Sequence, residues 1–307
     1  MEHEGLTVER PPGTLFMPNK TVLGIDGASP PFDQVTSIQR LAPARRGQRS
    51  PEHARHQLYV AREKRNRVNV LIKVISKPGQ IYERDLTNEI SSLSTINREL
   101  PDSRYFPVIH QNGRLSDGRL YLSTSLFDEL PLATTIGAVP VPGKLVAHLK
   151  LAIEIARALS DIHRLEIFHV DLNPMNVLYR ASHAGPVIRI VDFESSYERG
   201  RHSKGVFYSP PTTPGYSAPE VPSQAPDARS DLFSLGAVLY TTLAGYRWTD
   251  HAEVSARVEA DPELDPELKN VLLAAVDPVP DNRYGSVQEF QSALGAYLER
   301  IWPGRAW

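Results

Sequence analysis

The spacing of apolar residues changes character near Pro142. Before that point they fall in short runs bounded by turn-forming residues. "QVTSIQRL", "QLYVARE" and "NVLIKVI" predict β-strands, the last almost continuous in β-branched residues. Residues 83–98 place Leu86, Ile90, Leu93 and Ile96 at helical spacing. "YFPVIHQ" and "RLYLSTS" predict two further strands joined by the turn-like "NGRLSDG". After Pro142 the period becomes helical. Residues 144–164 carry Leu149, Ile153, Ala156 and Leu159 on one face. "SDLFSLGAVLYTTL" predicts a buried helix with Ser230 as its N-cap. Two more helices are predicted near residues 266–276 and 286–299. The pattern implies the α+β class: a small β-rich part followed by a larger, mainly helical one. Residues 1–31, rich in Pro, Gly and charge, read as a flexible N-terminal tail.

Composition narrows the picture only a little. At 307 residues the chain suits two domains or one bilobal unit, and 41% hydrophobic content provides for a substantial core. A net charge of −2 points to neither nucleic acid nor a membrane surface as partner. The absence of cysteine excludes disulfides, thiolate catalysis and Cys-ligated zinc. The first twenty residues lack the basic start and apolar core of a signal peptide. No apolar run approaches the ~20 residues of a membrane span. A cytoplasmic protein with no membrane insertion is the expectation.

Candidate chemistry lies where charge interrupts apolar runs. Lys73 breaks "NVLIKVI", so its ammonium needs an anion, and Glu89 on the following helix is the candidate partner. The alternative is a lysine snorkelling from a strand edge. "FHVDLNPMNVLY" and "IRIVDFESS" set Asp171 and Asp192 beside apolar residues, where an ionised carboxylate requires compensation. Asp171 can accept a proton or orient a hydroxyl. Asn176 and Asp192 offer a neutral and a charged oxygen, a donor set suited to Mg²⁺, which draws its remaining ligands from water and phosphate. The alternative is a pair of turn-capping residues with no ligand.

In this order the residues resemble the eukaryotic-like protein kinase superfamily, especially its bacterial Ser/Thr members, from about residue 32 to 297. "VLIKVI" is similar to the VAIK strand, "HVDLNPMNVL" to the HRDLKPxN catalytic loop, and "VDFE" to the DFG motif. "TTPGYSAPE", "SDLFSLGAVLYTTLAG" and "DPVPDNRYGSVQEF" resemble the elements that follow. The resemblance implies a bilobal kinase fold, with an N-lobe over residues 32–127 containing helix C and a C-lobe over 128–307. It implies ATP and Mg²⁺ as cofactors and a protein substrate with a Ser or Thr acceptor, including the chain itself. Lys73 would hold the α- and β-phosphates, braced by Glu89; Asp171 would serve the acceptor hydroxyl; Asn176 and Asp192 would bind the metal. Thr124 would be the gatekeeper, and Ser125, Leu126 and Phe127 the adenine-facing hinge. Thr213 matches the residue that marks Ser/Thr specificity. His169, Asp231, Glu220 and Arg283 would be structural, Asp231 anchoring the catalytic loop through backbone N–H groups and the last two forming a buried ion pair.

Departures from the family pattern support other readings. The glycine-rich loop is replaced by "RLAPARRGQRSPEHAR", where Arg45, Arg46 or Arg49 could meet phosphates in place of backbone N–H groups; the bland reading is a solvated loop. Val170 replaces an Arg that normally receives an activation-loop phosphate, so activity is expected not to require phosphorylation at Ser195, Ser196, Ser203, Ser209 or Thr212. Asn173 stands where the catalytic-loop Lys is expected, and is counted with Lys73 and Asp171 among the catalytic residues. Glu194 replaces the DFG glycine and brings another carboxylate toward the metal. These changes also suit a pseudokinase scaffold. "HVDLNPMNVL…IVDFE" is similar, too, to small-molecule kinases of the aminoglycoside and choline type.

Overall fold

A computed structural model describes residues 16–18, 35–41, 55–136, 144–205, 213–245 and 254–304. The basic loop with Arg45, Arg46 and Arg49, together with Ser209 and Thr212, lies outside the described residues. The chain divides into two units, one of residues 1–86 and 108–126, the other of residues 87–107 and 127–307.

The first unit is a six-stranded antiparallel sheet. Its strands are β1 (Phe16–Pro18), β2 (Val35–Leu41), β3 (His56–Glu63), β4 (Asn69–Ile75), β5 (Ile109–Arg114) and β6 (Leu120–Ser125), in the order β1-β2-β3-β4-β6-β5. The short β1, within the predicted tail, pairs antiparallel with β2. Strand side chains alternate between faces, so Val70, Ile72 and Val74 of β4 point into one core with Tyr59, Ala61 and Tyr121. Lys73 is thereby set on the opposite face, in register with Leu58 and Leu122 on the flanking strands. The predicted strand at "YFPVIHQ" starts only at Ile109. Upstream, the Tyr105 and Pro107 carbonyls accept from the Ile190 N–H and the Asn97 amide, so they have no ladder partners. The turn is correspondingly shorter than "NGRLSDG", because β5 continues through Arg114.

Helix α1 (Gln80–Glu99) crosses the division, its residues from Thr87 onward belonging to the second unit. The second unit is mainly helical: α2 (Lys144–His163), α3 (Arg199–His202), α4 (Ala228–Ala244), α5 (Val254–Ala260), α6 (Pro266–Ala275) and α7 (Val287–Ile301). Short strands punctuate it: β7 (Leu130–Pro131), β8 (Ile167–Phe168), β9 (Val177–Arg180), β10 (Val187–Ile190) and β11 (Tyr197–Glu198). They form a β10-β9-β7 sheet and a β11-β8 pair. Helix α2 packs against α4 and α7, burying Leu149, Ile153, Ala156 and Leu159.

Helix α4 is buried almost throughout, as its apolar run predicts, but Ser230 is not its cap. Asp227 is, accepting from the Arg229 N–H at 2.8 Å. Ser230 lies inside the first turn and donates instead to Glu220 Oε1 at 2.8 Å. The Arg283 guanidinium grips the same carboxylate with two bonds of 2.9 Å, which forms the expected buried ion pair. Gly236 has a steric reason: a Cβ there would stand 2.8 Å from Val276 Cγ1 and 2.9 Å from Ala275 Cβ. Helix α5 was not expected from the pattern. The described residues include no helix long and apolar enough to cross a membrane.

Candidate active site

The catalytic-loop candidates lie on the link between β8 and β9. Its apolar residues Val170, Leu172 and Val177 are at most 1% exposed, fastening the link into the unit. The backbone is held by Asp231, a fully buried residue on α4. Its Oδ2 accepts from the His169 N–H at 2.8 Å and its Oδ1 from the Val170 N–H at 2.7 Å. His163 Nε2 lies 2.8 Å from the same Oδ2. Val170 adopts φ +65°, a left-handed conformation costly for a β-branched residue. The carboxylate holds the chain there, the anchoring expected of Asp231. His169 is fully buried, its ring edge-on to Phe193 and its Nε2 3.0 Å from the Val191 carbonyl, which suits a structural residue rather than a base.

Asp171 turns outward from this anchor, half-buried. Burial pushes its carboxyl above the usual carboxylate range and nearby Asp192 adds to that, while a hydrogen bond from Thr213 and the charge of His169 act against it. Thr213 Oγ1 donates to Asp171 Oδ1, and Asn176 Nδ2 lies 3.3 Å from Oδ2. Asn176 Nδ2 also donates to the Asp171 carbonyl at 2.9 Å. The amide nitrogen thus fixes the loop and leaves Asn176 Oδ1 as the side chain's acceptor. Asn173 is 4% exposed and takes part in the turn with both ends: Nδ2 donates to the Asp171 carbonyl and Oδ1 accepts from the Met175 N–H, each at 2.9 Å.

The second motif follows β10. The Val191 N–H donates to the Asn176 carbonyl at 3.0 Å, which brings the two motifs side by side. Asp192 has φ +69°. Carboxylate oxygens of Glu89, Asp192 and Glu194 lie within 4.8 Å of one another, so Glu194 is turned toward Asp192 rather than away from it. Two isolated like charges at such a separation repel by roughly 3 kcal/mol at an effective dielectric of about 20. A hard divalent cation offsets such repulsion, and the oxygen donors present fit Mg²⁺.

Sequence reasoning missed the residues that tie this motif to α1. Asn88 Nδ2 donates to the Glu194 and Ser196 carbonyls at 2.9 and 2.8 Å, and its Oδ1 accepts from Arg201. Ser91 and Thr95 donate to the Glu198 carboxylate. Only the polar stripe Asn88-Ser91-Thr95 at helical spacing could have signalled it.

The remaining predicted residues are placed as follows. Lys73 is half-buried at mid-strand in the first unit and Glu89 is buried in the second. Thr124 is buried in β6; Ser125 and Leu126 donate backbone N–H groups to the Val108 and Asn69 carbonyls at 2.9 and 3.2 Å. Phe127 lies under the Arg189 guanidinium, 4.9 Å from its ring centre.

A catalytic loop and an acidic motif of this composition in a helical unit, on a chain that also carries an antiparallel β-rich unit, define the protein kinase class. The protein kinase domain model matches residues 56–292, and the chain belongs to that family. Its relatives include bacterial Ser/Thr protein kinases. Pkn1 of Myxococcus xanthus is 28% identical over 198 residues, covering 59% of this chain. The DNA damage-responsive Ser/Thr kinase RqkA of Deinococcus radiodurans is 31% identical over 207 residues, covering 66%. The match spans 28% of the length of each of these relatives. A cysteine variant of the Mycobacterium tuberculosis PknI kinase domain superposes with a TM-score of 0.60 at 21% identity, covering 85% of this chain and 96% of that one.

Proposed function

We propose that the chain is the catalytic domain of a serine/threonine protein kinase, transferring the γ-phosphoryl group of ATP to a Ser or Thr hydroxyl of a protein. The observation that carries this reading is the hydrogen bond from Thr213 to Asp171. It supports the reading because the Asp171 carboxylate accepts a hydroxyl there, as an acceptor Ser or Thr would require. Asp171 orients the acceptor and takes its proton, and Thr213 fixes the carboxylate rotamer for that task. Bound Mg²⁺·ATP supplies the electrophilic phosphorus and neutralises charge on the phosphates. Asn176 Oδ1 and Asp192 would hold the metal, Lys73 would hold the α- and β-phosphates, and Glu89 would brace that lysine. Thr124 and residues 125–127 border the adenine. Asn173 serves by shaping the loop, since both ends of its amide are engaged there.

The test is phosphate transfer from labelled ATP to the chain itself or to a generic protein, run beside ATP·Mg²⁺ binding for the parent and Asp171→Asn. Transfer by the parent and its loss in the variant, with binding retained, is the expected result. One observation favours a second reading, a pseudokinase scaffold: Glu194 adds a third carboxylate beside Asp192. Nucleotide binding without transfer in both proteins would replace the enzyme reading with the scaffold. Transfer only to small hydroxylated or amino metabolites would refute both.

A further inference from the structure

Away from the catalytic loop, the second unit holds a cavity of about 650 Å³ between α2, the β9–β10 turn and the end of α7. Arg104, Lys150, Arg157, His183, Tyr179 and Trp302 line it, with aliphatic walls from α2 and the turn. Two of its cations are built into place. The buried Glu154 carboxylate accepts from Arg104 Nη2 at 2.6 Å and from Arg157 Nη1 at 2.8 Å, and the Tyr105 hydroxyl adds a bond of 2.8 Å. The Arg104 guanidinium is also held over the Tyr105 ring, 5.4 Å from its centre.

A guanidinium carries five N–H donors in a rigid fork. Glu154 takes one from each arginine, and because the two side chains are 69% and 45% exposed, their remaining donors are left to meet an oxyanion. Lys150 and the exposed His183 line the same cavity. Among the described residues the lining holds one carboxylate, already bound by three donors, and three cations. Aromatic rings accompany them, and the volume falls in the range of about 300–1,000 Å³ typical of small-molecule sites.

We propose that this cavity binds a small ring-bearing oxyanion, a phosphate or carboxylate attached to an aromatic body. The anion docks on the paired Arg104 and Arg157 forks, with Lys150 and His183 nearby, and the ring lies against Tyr179 and Trp302. Arg serves here because its planar fork matches phosphate and carboxylate geometry, which a lysine point charge does not. The proposal does not depend on kinase activity.

It is tested by calorimetric titration of the full chain with 1-naphthyl phosphate, 1-naphthoate and uncharged 1-naphthol. The phosphate, the carboxylate or both should bind saturably, and which one does assigns the anion. Affinity should fall at least tenfold in Arg104→Ala/Arg157→Ala, and fall again as salt is raised. Removing both arginines strips Glu154 of its two charged partners and leaves only the Tyr105 hydroxyl, so Lys150→Glu/His183→Ala provides a second variant that keeps both arginines; it too should weaken binding at least tenfold. Absence of binding by both anions, unchanged affinity in Lys150→Glu/His183→Ala, or equal binding of 1-naphthol overturns the proposal.

Discussion

Asp231→Asn tests the anchor beneath the catalytic loop with a change of almost no volume. The carboxylate has 0% exposure and meets two backbone donors on different oxygens, with His163 Nε2 sharing Oδ2. An amide has only one acceptor. If its oxygen takes the Oδ2 position, the His169 N–H is kept and the amide nitrogen confronts the Val170 N–H, donor against donor. Losing a buried hydrogen bond to a charged group costs about 1.5–3 kcal/mol. Val170 at φ +65° then loses the contact that holds its left-handed backbone, whose strain is on the order of 1–3 kcal/mol. The expected loss of local stability is roughly 2.5–6 kcal/mol, the sum of those two ranges. The assay is native-state hydrogen exchange at the His169 and Val170 amides. A loss of about 3 kcal/mol speeds exchange there by roughly a hundredfold, with smaller effects at helix α7. Val170→Gly in the Asp231→Asn background should recover part of the loss, because glycine adopts positive φ without strain. Unchanged exchange at both amides, or equal acceleration throughout the second unit, would refute the reasoning.

Glu194→Gln removes one of three carboxylates whose oxygens lie within 4.8 Å of one another, so Mg²⁺ affinity in a metal titration should fall about tenfold or more; unchanged affinity takes Glu194 out of the metal site. His202 predicts a pH dependence. Burial, and then the charge of Arg201, hold its pKa below the ordinary 6.5 against the opposing pull of Glu198. The folded value is depressed, so the unfolded chain takes up the proton first. Stability is fully present above about pH 6.5 and declines as pH falls below it. His202→Gln should flatten that decline in urea melts between pH 7.5 and 5.5, and an unaltered slope rules His202 out as its source.

The legible parts of the fold are those with an internal period or a fixed motif order. β4 was readable because Val70, Ile72 and Val74 make one face apolar and buried, and α2 because its apolar residues recur at helical spacing, though in the fold it is buried on nearly every side. Asp171, Asn176 and Asp192 stood out because each is a polar residue embedded in apolar sequence, and Asp231 through its place in the family's motif order. What could not be read depended on partners distant in the chain. Ser230 has the right chemistry for a cap, but Glu220 lies close enough to take its hydroxyl, and Asp227 caps instead. Residues 105–107 have a strand-like composition, yet their carbonyls bond to β10 and α1. Asn173 reads as catalytic from its place in the motif, while its geometry uses both ends of the amide inside the turn. The oxyanion cavity draws on Arg104, Lys150, His183 and Trp302, four segments that no local pattern connects.

The departure at Val170 and the polar stripe on α1 belong to one physical account. An arginine at position 170 would give an activation-segment phosphate a cation to bind; a buried valine cannot. Something else must order the chain after Asp192, because an unpaired segment would lose the backbone conformation that brings Asp192 beside Asn176. The structure supplies uncharged and fixed-charge partners for this. Asn88 receives Arg201 and donates to two carbonyls, and Ser91 and Thr95 meet Glu198. Arg201 Nε closes the set on Glu198 at 3.2 Å, and Tyr197 stacks on His202 with ring centres 5.0 Å apart. None of these contacts requires a phosphate. Each hydrogen bond contributes about 0.5–1.5 kcal/mol, more where a charge takes part, so together they can match the one to three charge-assisted bonds that a phosphate creates. The segment is therefore ordered by the folded chain's own side chains. Breaking Asn88, which touches three of its residues, should loosen it more than removing any hydroxyl within it.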